Sequence, residues 1–88
     1  MNTVISRSQL PIAPQQKQIL ILIAKGYSNE EIADFLSISI RTLYHHMKDI
    51  RDKTGIKSRV LLAFYTLANG IITQDEIKAA IQRERKQR

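Results

Sequence analysis

The stretch SNEEIADFLSISIRTLYHH, residues 28–46, holds two helix-start signals around a three-residue break, and no other feature constrains the chain as strongly. Ser28 followed by Glu31 forms a capping box and predicts a helix over residues 29–36. Ser37, Ile38 and Ser39 interrupt it. Ser39 then caps a helix predicted over residues 40–54, which Gly55 ends. Two short helices joined this tightly match a helix-turn-helix, with Ala33 small where the helices cross and Ile32, Leu36 and Ile38 directed at the core.

Flanking signals supply three more helices. Pro14 and Gly26 bracket one over residues 14–25, although its run ILILIA, rich in β-branched residues, also suits a strand. Ser58 and Gly70 bracket one over residues 59–69. Thr73 with Glu76 opens a last helix over residues 74–83, which frays into RERKQR. Residues 1–12 lack a period and are expected to form a flexible arm. The predicted fold is all-α: four helices over residues 13–72 plus an additional C-terminal helix and basic tail over residues 73–88.

Eighty-eight residues allow one small core and too little chain for a substrate-enclosing cleft, so binding is favoured over catalysis. Lys and Arg number 14 against 8 Asp and Glu, a net charge of +6 that suits a polyanion such as nucleic acid. The absence of Cys excludes disulfides and thiolate chemistry. The apolar run over residues 19–24 is far short of the roughly 20 residues a membrane span needs. A cytoplasmic protein without cofactor, metal or membrane partner is expected.

On the wheel of the 40–54 helix, Leu43, Met47, Ile50 and Thr54 form an apolar stripe, with His46 at its margin. Arg41, His45, Lys48 and Asp52 lie opposite, with Tyr44 and Arg51 on one flank. Such a face offers the donors, acceptors and aromatic surface that base edges and phosphates require. His45 and His46 diverge by about 100 degrees, so they do not share a metal ion. No nucleophile-and-base pair or Gly-rich phosphate loop is visible.

These residues carry a family likeness. Residues 12–72, about two thirds of the chain, resemble the LuxR/GerE-type helix-turn-helix domain. The match runs through Pro14, the IL at Leu20, KGYSNEEIADFLSIS, Thr42-Leu43, His46, Ile50, Lys53, Gly55 and IKSRV. The resemblance implies a four-helix DNA-binding domain, a homodimer through the fourth helix and sequence-specific bacterial transcription regulation. RNA polymerase or another regulator is expected as a further partner. It places Tyr44, His45 and Lys48 nearest the bases. Arg41, Thr42 and Arg51 would lie by the DNA backbone, with Ser28, Asn29, Lys57, Ser58 and Arg59 at helix N-termini that bind phosphate readily.

The chain departs from the family pattern in several places. Tyr44 replaces a usual basic residue, Thr54 a common Leu and Ala13 a frequent Thr cap. Gln16 and Gln18 stand where the first helix usually carries acids. Ser37 stands where the turn often has Gly, and a left-handed backbone there costs about 1 kcal/mol or more.

The helix RVLLAFYTLAN is apolar on more than one side. Val60, Ala63, Phe64 and Leu67 make a stripe that could close the core, which leaves Leu61, Leu62, Tyr65 and Ala68 to be covered; a homodimer meeting through Leu61, Leu62, Tyr65 and Asn69 is expected. Alternatively Ile77, Ala80 and Ile81 of the last helix cover that surface. The reading is a double-stranded DNA-binding transcriptional regulator. The principal alternative is a protein-interaction module on the same scaffold, since Asp49 and Asp52 would repel phosphate. Starting at Met1, the chain is expected to be a stand-alone regulator, or else an output domain excised from a larger one.

Overall fold

The computed structural model describes residues 11–87, so most of the expected arm lies outside the described residues. The fold is all-helical: α1 Pro14–Ala24, α2 Asn29–Leu36, α3 Ile40–Thr54, α4 Arg59–Ala68 and α5 Gln74–Lys86. Each start coincides with a local signal. Pro14 opens α1, and Ser28, Ser39, Ser58 and Thr73 each accept a hydrogen bond from a first-turn backbone N–H.

The helix ends are equally local. After α1, Gly26 N–H donates to the Ile23 carbonyl and Tyr27 N–H to the Leu22 carbonyl, at 3.0 and 3.1 Å. After α2, Ser37 and Ile38 repeat this pattern onto Asp34 and Ala33. The first ending uses glycine at φ 94°; the second places Ser37 at φ 56°, ψ 41°. Ile38, delivered by that turn, packs against the core.

The core joins Ile19, Leu20, Leu22 and Ile23 of α1 to Ile32 and Ala33 of α2, Leu43, Met47 and Ile50 of α3, and Leu62 of α4. α1 is central: it packs along α4 and also touches α2 and α3. That placement explains why ILILIA lacks a clean helical period, because a helix covered on several sides is apolar on several sides. The helix reading of that run holds. Ile12 is half-buried and also packs on the core.

Two expectations are corrected. The side of α4 that enters the core is Leu62 and Thr66, both with no exposure, whereas Val60 and Phe64 are 64% and 60% exposed. Thr66 can be buried because its hydroxyl donates to the Leu62 carbonyl at 2.7 Å, which satisfies its polar group within the helix. Second, α5 does not cover the outer face of α4. Ile77, Ala80 and Ile81 line a groove with Ala24, Lys25 and Gly26 at the end of α1. α5 also runs three residues further than expected, to Lys86, with Arg83, Arg85 and Lys86 placed favourably at its negative end.

Candidate nucleic-acid interface

The two faces of α3 are cleanly divided. Leu43, Met47 and Ile50 are almost wholly buried, and each contributes roughly 1.5 to 3 kcal/mol by leaving water. On the other side Arg41, Thr42, Tyr44, His45, Lys48 and Asp52 are exposed, with Tyr44 at 51%. Tyr44, His45 and Lys48 stand at i, i+1 and i+4, which spreads them over an arc of about 100 degrees with Lys48 between the other two. His46 is half-buried at the stripe's margin.

Lys48 Nζ lies 3.2 Å from Asp52 Oδ2. An exposed pair at this spacing is worth only about 0.3 to 0.5 kcal/mol, so Lys48 is readily released to a stronger acceptor. Thr42 is half of a cap: its N–H donates to Ser39 Oγ at 3.0 Å, and the Ser39 hydroxyl donates back to Thr42 Oγ1 at 2.9 Å. Arg51 is half-buried, and its Nε finds no hydrogen-bond acceptor among the described residues.

A polar mount sets the orientation of α3. Gln16 of α1 is 3% exposed; its Nε2 donates to Asp49 Oδ2 at 2.8 Å, and its Oε1 accepts from Lys53 Nζ at 2.9 Å. Lys53 and Asp49 also pair at 3.2 Å. Asp49 of α3 thus brings a carboxylate to the buried Gln16 of the first helix. Its charge is turned toward Gln16 and Lys53, which weakens the objection that it repels phosphate. Sequence reasoning noted Gln16 as a departure and missed this role, since no local spacing links residue 16 to residues 49 and 53.

The N-termini of α2 and α4 are tied together. Arg59 Nη1 donates to Asn29 Oδ1 at 2.6 Å, and Arg59 Nη2 donates to the Tyr27 carbonyl. With its oxygen engaged, Asn29 keeps its amide N–H groups as donors. Arg59 thus serves chiefly as a cross-link, a duty its position in the sequence does not disclose. Ser28 and Ser58 are exposed and use their hydroxyl oxygens as caps, accepting from Glu31 N–H and Leu61 N–H, each at 3.2 Å. Glu31 returns a bond from Ser28 N–H at 2.8 Å, and this contact holds its carboxyl below the ordinary glutamate range. Lys57 is exposed just before α4.

Of the four residues expected at a dimer interface, Leu61 is 55% exposed and Asn69 is exposed. Tyr65 is half-buried against the core. Leu62 is removed from that set, because it is fully buried within the monomer. The exposed apolar side of α4 is instead Val60, Leu61 and Phe64. Among the described residues, no group of His, Cys, Asp and Glu is arranged to hold a metal ion, and no helix is long and apolar enough to cross a membrane.

A family model described as "Bacterial regulatory proteins, luxR family" matches residues 11–66. The transcriptional regulatory protein MctR of Rhizobium johnstonii is 39% identical over 64 residues, 73% of this chain and 30% of MctR. The oxygen regulatory protein NreC of Staphylococcus aureus is 39% identical over 61 residues, 69% of this chain and 28% of NreC. The match thus spans under a third of the length of these relatives. No solved structure gave a significant match.

Proposed function

Because the chain belongs to the luxR family of bacterial regulatory proteins, we propose that it is a sequence-specific, double-stranded DNA-binding transcriptional regulator that reads the major groove with α3 as a homodimer. The observation that carries this reading is the division of α3, whose inner face is sealed in the core while Tyr44, His45 and Lys48 stand exposed together. These three are assigned to the bases. Arg41, Thr42 and Arg51 flank them and are assigned to the DNA backbone. Ser28, Asn29, Lys57, Ser58 and Arg59 gather at the joined N-termini of α2 and α4, where the first-turn N–H groups that the caps leave over favour an anion.

Dimerisation is assigned to α4 through Leu61 and Asn69 with Val60 and Phe64, and Tyr65 at the margin. Three large apolar side chains more than half exposed on one helix favour a protein neighbour. A self-complementary contact would bring two recognition helices to successive major grooves. RNA polymerase or another regulator is the protein on which such a DNA-bound dimer would act.

Selection of bound sequences from a random duplex library, at near-physiological salt, tests the reading. Enrichment of an inverted repeat with half-sites about one helical turn apart supports both readout and dimer. Salt-sensitive binding without enrichment removes sequence specificity. No binding at all favours a second reading, an interaction module that engages another protein through the same exposed face of α4.

A further inference from the structure

The turn between α1 and α2 is gripped by two arginines from distant parts of the chain. Arg59 of α4 donates to the Tyr27 carbonyl. From α5, the guanidinium carbon of Arg83 lies 4.4 Å from the centre of the Tyr27 ring, and its Nη2 donates to the Lys25 carbonyl at 3.1 Å. Lys25 Nζ faces Glu76 Oε2 of α5 at 3.9 Å. The Phe35 ring centre lies 5.9 Å from that of Tyr27, the two rings tilted by 51°.

Tyr27 immediately precedes Ser28, which caps α2. α5 contributes no buried residue to the core and lies beyond the stretch matched by the family model. Its ordered contacts converge instead on this turn. Only a planar guanidinium can lie over an aromatic ring while an in-plane N–H reaches a carbonyl; a lysine ammonium offers the charge without that fork. Half-buried and engaged in this way, Arg83 is directed at its own chain.

We infer that α5 is a clamp belonging to the DNA-binding unit, and that Arg83 is a positioning residue which, through Tyr27, holds the N-terminus of α2 where a DNA phosphate meets it. This rests on the DNA-binding reading above. The clamp itself, however, is measurable without DNA. The Glu31 and Ile32 amides both donate to Ser28, to its hydroxyl and its carbonyl, so their hydrogen exchange reports how firmly the start of α2 is held.

The full chain is compared with Arg83→Ala, Arg83→Lys, Tyr27→Leu and the Tyr27→Leu/Arg83→Ala double variant. Exchange of those two amides is measured first, then binding to a labelled duplex of the sequence the wild-type chain enriches. Arg83→Ala is expected to speed exchange and weaken duplex binding, each by about 2- to 5-fold. Arg83→Lys restores neither, and the double variant is no weaker than Tyr27→Leu alone. Unchanged exchange in Arg83→Ala overturns the clamp. Full recovery of binding by Arg83→Lys, or additive losses in the double variant, also overturns it by making Arg83 a direct phosphate contact. If the wild-type chain binds no duplex, the DNA-binding reading fails while the exchange result still decides whether the clamp exists.

Discussion

Ser37 holds a left-handed backbone at the bend between α2 and α3, a conformation that brings its Cβ close to the following carbonyl. Ser37→Gly is expected to raise stability by about 0.5 to 1 kcal/mol, read as a higher urea midpoint with an unchanged slope. At the same scale, two lysines separate by role. Lys48 stands among the residues proposed to contact bases, and Lys57 just before the cap of α4. Lys48→Ala is expected to cost about 1 to 3 kcal/mol at one base pair and relax specificity there, whereas Lys57→Ala weakens binding evenly across sequences. Titrating each variant against the selected site and single-base variants separates the two patterns. The same loss on every duplex for Lys48→Ala would make it a phosphate contact.

The helices differ in how far their placement can be read from the chain. Helix starts were legible because Ser28, Ser39, Ser58 and Thr73 each accept from a backbone N–H three residues on, and Pro14 acts through its own fixed φ and missing donor. The buried stripe of α3 was legible too, since its polar and apolar sides differ sharply. α4 was not, because a helix apolar all round gives its wheel no preferred side. Its rotation is set by what α1 presents to Leu62 and by Thr66 satisfying its own hydroxyl. The mount from Gln16 to Asp49 and Lys53 and the bridge from Arg59 to Asn29 join residues about thirty or more apart, so they exist only after folding.

The opening turn of α2 also responds to pH. The hydrogen bonds from Ser28 to Glu31 lower the glutamate's pKa in the folded chain. A depressed carboxyl contributes stability above the unfolded-state value, and that contribution disappears as pH falls through the lower folded value. Glu31→Gln is therefore expected to lose stability relative to the parent at neutral pH and to converge with it in acid. Urea midpoints of both proteins from about pH 7 down to pH 2 span that window. A gap between them that persists unchanged to the acid end would show that charge is not what the cap uses.

For the whole molecule, the decisive property is that α4 keeps Val60, Leu61 and Phe64 exposed while the inner face of α3 is sealed in the core. Phe64 is 60% exposed and takes no part in the buried core. Phe64→Asp is expected to keep the helical fold and raise the dissociation constant of the proposed dimer at least about tenfold, as followed by sedimentation velocity over a concentration series. Half-site binding should persist while the preference for paired half-sites falls. An unchanged oligomeric state would move the dimer contact off this face.

The divided construction of α3 bears on how such a protein can change over time. Leu43, Met47 and Ile50 with the Gln16 mount hold the rod, while Tyr44 and His45 have no hydrogen-bonding role inside the chain among the described contacts. Substitutions at those two positions are expected to leave the scaffold's stability nearly untouched, so under the proposed reading a lineage can exchange one target for another by small steps without passing through an unfolded ancestor.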